Sequence, residues 1–424
     1  MSAGSYVGKY EQEINDAEIA VDNYFNSLPL PSNRLDEAIL HLCTVSEDRL
    51  RLILHEMGDH TGWQGSAGIE NYNRLINDTK FSLNYAIANV CKRLTKHGLP
   101  QQYTICKESY ECSANLLDKA RDYFFASILF IGKKRGQFNS FIEPPNKVFF
   151  IDSIASSRNY SQLERTILNG PGAHPISYFC KLFMEPELIP IELKEIYEKS
   201  KFTNYQITYK YFPSIARILL SEMEAGTIIP ESWQFPWCTT TEFRAFFLAL
   251  ITRAFYHLIC VHFGAGTHGI NGGGVECLCL RIRKSDLIAQ ISELSLLDKH
   301  TTIKMVNAIC YGEKTITPDI ALQPLIALYD NTILIAPLNL ISSNFERNGL
   351  TLHARVDPSS FNKQSHQFEN IMLNKALSSI KQRFSHAYPR LLIPNAPETG
   401  DIDLAIFDLE CSTLLICEMR WTLH

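Results

Sequence analysis

Apolar residues recur at helical spacing through the first third of the chain. Leu35, Ile39 and Leu42 are three or four positions apart, and residues at that spacing lie on one face of an α-helix that a core can cover. The pattern predicts a first helix that ends at the proline-containing run 28–32, a second from Asn33 or Asp36 to 57, a loop over 58–68, one or two helices over 71–94, and a helix capped by Ser113. We therefore expect a helical domain over residues 1–136.

The apolar pattern weakens between residues 137 and 238. Proline and glycine mark turns in this segment, since they favour turn conformations and interrupt regular elements. Residues 148–152 are predicted to form a strand and 209–224 a helix. The segment is expected to be a connector or a small mixed domain.

Regular patterns return from Thr239. Residues 239–242 have the Ser/Thr-x-x-Glu pattern of a helix capping box, and the helix that follows is apolar on nearly every side, which predicts burial. Downstream we expect a strand over 274–282, helices starting at Ser285 and Thr301, and two short strands about the turn 330–331. Residues 239–343 are thus predicted to form a helical or mixed central domain.

The end of the chain alternates apolar and polar residues in two runs on either side of the polar break 408–413. This pattern predicts a β-hairpin that folds about residues 410 and 411. Because strand side chains alternate between faces, Asp401 and Asp403 share one face, and Asp403 is expected opposite Glu418 and Arg420. Charges gathered on one sheet face are costly for a purely structural hairpin.

This arrangement resembles the PD-(D/E)xK nuclease superfamily, in which an Asp on one strand is followed by Glu-x-Lys on the next. The resemblance implies that Asp403 and Glu418 hold Mg²⁺ (or Mn²⁺), that Arg420 faces the attacking water, and that Asp401 supports a ligand. Members often carry an acidic residue on the preceding helix, and Glu369 in the helical run 367–381 fits that position. Carboxylate oxygens suit such a hard cation.

The apolar patterns predict an α+β protein that is predominantly α-helical in its N-terminal and central regions, and the resemblance implies the start of a restriction-endonuclease-like α/β domain over residues 344–424. Block 318–348 is also loosely similar to uncharacterised bacterial proteins that end in a nuclease-like domain. The family core continues with a further helix and strand, so we expect that the sequence is a fragment or that the domain is incomplete at His424. Arg420 stands where the family has Lys, and a guanidinium does not replace an ammonium in geometry or acidity.

The charge of the chain limits how a nucleic acid could bind. The net charge is −5, so a nucleic acid must be held by a local basic patch. Residues 344–390 contain seven Lys or Arg against three carboxylates, and Lys375, Lys381 and Arg383 are the predicted nucleic-acid-binding residues. The implied activity is metal-dependent hydrolysis of DNA phosphodiesters, with RNA as a second substrate class. Bacterial nucleases with helical extensions suggest, by analogy, a role in antiviral defence.

Two alternatives remain open from the sequence: a catalytically impaired nucleic-acid-binding protein, and a helical protein-interaction scaffold. Partner proteins and a homo-oligomer are compatible with either. No signal-peptide pattern is visible, and charged residues interrupt the most apolar helix, so we expect a cytoplasmic protein with no membrane partner.

Three other short motifs do not predict a binding or catalytic site. The G-x-G-x-x-G run over 264–269 follows a helix and precedes a predicted strand, which is the wrong order for a dinucleotide site. His55 and His60 lack the spacing of a zinc protease. Cys277 and Cys279 have no second ligand pair for zinc.

Overall fold

The computed structural model describes residues 11–59, 66–100, 103–134, 138–143, 147–152, 216–217, 219, 229–264, 275–312, 318–380, 386–392, 401–408 and 413–417. Within these ranges the helices are α1 (Glu11–Ser27), α2 (Leu35–Asp59), α3 (Ser66–Arg93), α4 (Lys107–Lys134), α5 (Thr240–Gly264), α6 (Lys284–Ser295), α7 (Lys299–Ala308), α8 (Pro337–Ile341), α9 (Phe345–Val356) and α10 (Pro358–Ile380). The strands are β1 (Phe138–Glu143), β2 (Lys147–Asp152), β3 (Leu280–Arg283), β4 (Leu325–Ala327), β5 (Thr332–Ile335), β6 (His386–Leu392), β7 (Asp401–Asp408) and β8 (Thr413–Cys417). The described chain is therefore mostly helical with a few small antiparallel sheets, an α+β arrangement.

The N-terminal helices follow the apolar pattern, with corrections at their ends. The first two predicted helices are confirmed as α1 and α2, but α3 is one helix that already includes Gly68. The predicted cap Ser113 is wrong: it lies inside α4, where its hydroxyl donates to the carbonyl of Ser109 at 2.8 Å. A serine can bond back to the preceding turn of a helix as readily as it can cap one.

The chain divides into two compact units. The first comprises Met1–Thr227 and Glu242–Asn344, and the second comprises Ile228–Thr241 and Phe345–His424. Two of the predicted segments, 1–136 and 239–343, contribute to a single hydrophobic core of the first unit. Its buried members from α2, α3 and α4 include Leu42, Ile87 and Leu117, and those from the later segment include Ile326 and Leu334.

A three-stranded antiparallel sheet of order β3-β5-β4 lies in the first unit. The predicted hairpin about residues 330–331 is confirmed, with Asn331 in the left-handed conformation at φ 64° that such a turn requires. The predicted strands are shorter than expected. Residues 275–277 form a 3₁₀ turn instead of the start of the first strand. The start of the second is also a turn, in which the N–H of Ala321 donates to the carboxylate of Asp319 at 2.9 Å and the N–H of Gln323 to its backbone carbonyl at 2.8 Å.

The segment between 137 and 238 is described only in part. The predicted strand 148–152 is confirmed as β2, which pairs antiparallel with β1 from Phe138↔Asp152 to Glu143↔Lys147. Most of the predicted helix 209–224 lies outside the described residues. α5 begins at the predicted capping box, and Phe243, Phe246 and Phe255 on it are fully buried as the apolar pattern predicts.

Aromatic rings hold the second unit together around one histidine. His353 of α9 is fully buried, and the indole N–H of Trp233 donates to its Nδ1 at 3.2 Å. The rings of Phe235, Trp237 and Phe361 lie 5.7–6.3 Å from the same imidazole, centroid to centroid. Segment Ile228–Thr241 is thereby packed against α9 and α10. Glu346 of α9 is buried, and its carboxylate accepts from the N–H of Ile229 at 3.0 Å.

The end of the second unit is an antiparallel meander, in the order β6-β7-β8. α10 precedes it and is longer than the predicted run 367–381. Pro389 lies on the edge strand β6, where a missing N–H donor is tolerated. Among the helices that the structure describes, none is long and apolar enough to span a membrane.

Candidate functional site

The predicted C-terminal hairpin is present in the structure. β7 pairs with β8 from Leu404↔Cys417 to Asp408↔Thr413. This register is centred between residues 410 and 411, as the alternating pattern predicts, and it fixes which positions of the two strands lie opposite each other. The expected hairpin and its register are therefore confirmed for these five pairs.

Asp401 and Asp403 are both backbone positions of β7, the middle strand of the meander. Their side chains lie outside the described part of the structure. Glu418 and Arg420 follow the last residue of β8, Cys417, and also lie outside the described residues. The predicted meeting of Asp403, Glu418 and Arg420 thus stays a prediction, which rests on the register up to Leu404↔Cys417.

A second register adds a residue that the sequence analysis did not single out. β6 pairs with β7 through Pro389↔Leu404 on one side and Leu391↔Ile402 on the other. Arg390 therefore occupies the strand position across from Asp403. A cation opposite a carboxylate on neighbouring strands is a stabilising pair in many sheets. Arg390 is thus a candidate partner of Asp403, whether the hairpin is catalytic or structural.

Glu369 lies on α10, the helix that precedes the meander, as the resemblance implies. It is partly buried, and its carboxylate Oε2 lies 3.3 Å from Nδ1 of the more exposed His366, one turn earlier. This contact is an ion pair only when the imidazole is protonated. Glu369 is therefore positioned on the expected element, with a partner of its own.

The predicted nucleic-acid-binding residues lie at the end of the same helix. Lys375 is a backbone position of α10, and its side chain is not among those described. Lys381 and Arg383 come directly after Ile380, the last residue of α10, and lie outside the described residues. The basic patch stays a prediction.

The donor set of the hairpin suits a divalent hard cation. Asp401, Asp403 and Glu418 offer carboxylate oxygens alone, which are the ligands that Mg²⁺ and Mn²⁺ prefer. Among the side chains that the structure does describe, no group of three or more His, Cys, Asp or Glu is arranged to hold a metal ion. The candidate cation site thus depends on the hairpin.

The structure also contains a buried polar network that the sequence analysis missed. In the first unit, the carboxylate of Glu47 accepts from the backbone N–H of Leu338 at 2.7 Å, and from the backbone and side-chain N–H groups of Asn339 at 2.9 and 2.7 Å. Nearby, the ammonium of Lys80 donates to the carbonyl of Ser342 and the hydroxyl of Ser343, at 2.6 and 2.9 Å. No spacing in the sequence connects residues that are 262–292 positions apart.

Burial dominates the ionisation of this network. It raises the pKa of Glu47 to about 7 and lowers the pKa of Lys80 to about 7, because a low-polarity interior disfavours both charged forms. The hydrogen bonds to Asn339 and Leu338 act against the shift at Glu47. All three donors around the carboxylate belong to the first turn of α8, so Glu47 works as a remote cap that attaches α8 to α2.

Comparison of the chain with protein-family models, with curated proteins and with solved structures gave no match.

Proposed function

We propose that the chain is a metal-dependent nuclease whose catalytic residues lie on the β7–β8 hairpin. The observation that carries the proposal is the register of that hairpin. Leu404 pairs with Cys417, and the next position along each strand is Asp403 on one side and Glu418 on the other. Pairing continued by that one step would bring two carboxylates to neighbouring positions of the sheet.

The position of the hairpin in the fold adds support. β7 is the middle strand of the meander, so β6 and β8 flank it on both sides and limit its movement. Catalytic groups need such a rigid frame, because small displacements cost large factors in rate. α10, which carries Glu369, comes directly before the meander.

The proposed roles follow from the chemistry of the side chains. Asp403 and Glu418 would hold Mg²⁺ or Mn²⁺, and Asp401 or Glu369 would orient one of those ligands. When bound, the cation supplies Lewis-acid activation of a water and of the scissile phosphate. Arg420 would stabilise negative charge on the phosphate, since a guanidinium stays protonated and cannot act as a general base at neutral pH.

The substrate would be held by local charge. The chain is acidic overall, so phosphate contacts must come from the predicted patch of Lys375, Lys381 and Arg383. We propose DNA as the substrate class, with RNA as the alternative.

One observation favours a second candidate. Arg390 lies across from Asp403 in the sheet register, and the pair by itself could explain why an Asp is present on β7. In that case the hairpin is structural, and the protein binds nucleic acid without cleaving it or serves as an interaction scaffold.

The test is a cleavage assay with the full chain, Mg²⁺ or Mn²⁺, and plasmid DNA, single-stranded DNA and RNA as substrates. Glu418→Ala is expected to abolish cleavage, since loss of a ligand carboxylate removes several kcal/mol, about 10²-fold or more in rate. Arg420→Lys is expected to preserve or raise cleavage, because it restores the compact ammonium of the family pattern.

Asp408→Ala is the matched control, because it removes a carboxylate from the far end of the same strand. It should leave cleavage within about twofold. Cleavage by Glu418→Ala at the parental rate would refute the assignment. If the parent chain is inactive and Arg390→Gln destabilises it as much as Asp403→Asn does, the structural alternative is correct.

A further inference from the structure

A cavity of about 440 Å³ lies in the first unit beside the edge strand β3. α5 contributes Arg253 and His257 to its wall, and β3 contributes Arg281 and Arg283. The other lining residues in the described part of the chain are Leu99, Glu276, Cys277, Cys279, Leu280, Asp330 and Thr332. None of these residues belongs to the proposed nuclease site, so the cavity is a separate feature.

Two guanidinium groups face the cavity from one strand. Arg281 and Arg283 are two positions apart on β3 and both are exposed, whereas the intervening Ile282 is buried. Within the part of the chain that the structure describes, neither arginine forms an ion pair or a side-chain hydrogen bond. A guanidinium carries five N–H donors in a planar fork, and this fork matches two oxygens of a phosphate.

Arg281 is also held in place from one side. Its guanidinium carbon lies 5.4 Å from the centre of the Tyr103 ring, a distance at which the ring attracts the cation. The hydroxyl of Tyr103 in turn donates to Thr44 at 3.1 Å, so the ring itself is fixed. Less entropy is lost when a ligand binds a group that is already positioned.

The inner wall adds one buried guanidinium, that of Arg253, and the neutral imidazole of His257. Arg253 is buried, and its Nε donates to the side-chain oxygen of Gln290 at 3.0 Å. His257 is also buried, and its Nε2 lies 2.9 Å from the carbonyl of Cys277, so this nitrogen carries the proton. Burial lowers the pKa of His257 to about 4, so the ring is neutral at pH 7.

Among the lining residues that the structure describes, positive charges outnumber negative ones. Three guanidinium groups face the carboxylates of Glu276 and Asp330. Both carboxylates have backbone donors: Glu276 accepts from the N–H of Ile105 at 3.4 Å, and Asp330 from the N–H of Thr332 at 3.1 Å. A chain with a net charge of −5 therefore carries a locally positive cavity, which concentrates anions.

We propose that this cavity binds a phosphate-bearing small molecule of about mononucleotide size, with Arg281 and Arg283 contacting the phosphate. The volume is within the range of about 300–1,000 Å³ that is typical of small-molecule sites. A double-stranded nucleic acid is too wide to enter a space of this size. The phosphate of a single strand has the same chemistry, and the experiment separates the two sources.

The probes are inorganic phosphate, AMP and a single-stranded oligonucleotide, titrated calorimetrically into the full chain at low ionic strength. The parent is expected to bind AMP. Arg281→Gln/Arg283→Gln should weaken that binding at least tenfold. The affinity of Arg281→Lys/Arg283→Lys for AMP should lie between those of the parent and the glutamine variant, because lysine keeps the charge but lacks the planar guanidinium. Both arginines are exposed, so these variants should fold, and their circular dichroism and thermal unfolding are measured alongside.

Lys299→Gln/Lys304→Gln is the matched control, since it removes two positive charges from exposed positions of α7 in the same unit. Its affinity for AMP should stay within about twofold of the parent. The proposal is overturned if the parent does not bind AMP at millimolar concentration, or if the arginine double variant binds as well as the parent. Binding of the oligonucleotide more than tenfold tighter than AMP, with loss in the double variant, would assign the cavity to nucleic acid and overturn the small-molecule proposal.

Discussion

Of the carboxylates described above, that of Glu47 accepts the most buried hydrogen bonds. Glu47→Ala leaves three donors of Leu338 and Asn339 without their acceptor, and it removes the charge that partly offsets the burial of Lys80. Removing one member of a buried charged network costs about 3–5 kcal/mol. We expect a loss of that size in the free energy of unfolding, measured by urea denaturation followed by circular dichroism.

Glu111→Ala is the control at this scale. Glu111 is exposed on α4, and its carboxylate forms a long surface ion pair of 3.8 Å with Lys107. Its removal should therefore change stability by less than about 0.5 kcal/mol. Equal losses in the two variants would show that Glu47 does not cap α8.

The sequence could not identify Glu47 or Lys80 as a pair, because their partners are distant in the chain and depend on packing. The candidate nuclease residues, by contrast, belong to a local pattern that the sequence shows. Asp403 and Glu418 were singled out from local alternation, and the register that the prediction requires is confirmed up to the adjacent pair. The position of Arg390 across from Asp403 follows from β6, whose pairing a hairpin pattern cannot reveal.

At the level of elements, Trp233 links segment Ile228–Thr241 to α9 and α10 of the second unit. Its ring is buried against His353 and Phe361, and its N–H is bonded to His353. Trp233→Ala should lower the free energy of unfolding by about 3–5 kcal/mol, from lost burial and the cavity that remains. Trp233→Phe keeps most of the ring but removes the donor, so a smaller loss of about 1–3 kcal/mol is expected.

These losses are measured by chemical denaturation, with Ile371→Ala as the control. Ile371 is about half exposed on α10 of the same unit, so its truncation should cost less than about 1 kcal/mol. A Trp233→Ala variant as stable as Ile371→Ala would mean that the segment does not contribute to the unit.

Helices and hairpins were predictable from the sequence where their pattern is local. Two wrong predictions in the first unit have identifiable physical causes. The expected strand over 274–282 begins only at Leu280, because His257 approaches the carbonyls of Cys277 and Leu278 that a strand ladder would need. Ser285 does not cap α6, which follows β3 directly and has Arg283 at its N-cap. In both cases a tertiary contact or a chain connection overrides a short motif.

For the molecule as a whole, acidification should reduce stability through buried histidines in both units, with His257 in the first and His353 in the second. Burial lowers the pKa of His257 and of His353 to about 4, and the nearby Asp357 partly opposes the shift at His353. The unfolded chain binds these protons near pH 6.5. Between pH 6.5 and 4 the unfolded state therefore holds more protons than the folded state, so stability is fully present above pH 6.5 and is lost as the pH falls towards 4.

For His257 the shift corresponds to about 3 kcal/mol at about 1.4 kcal/mol per pH unit. His257→Gln keeps an N–H donor for the carbonyl of Cys277 but does not titrate, so we expect it to flatten the decline in unfolding free energy between pH 6.5 and 4.5. The exposed His300 on α7 is the matched control, and His300→Gln should leave the decline unchanged. Urea denaturation at several pH values measures both. A decline that is equally steep in His257→Gln would show that the acid sensitivity of the first unit arises at other groups.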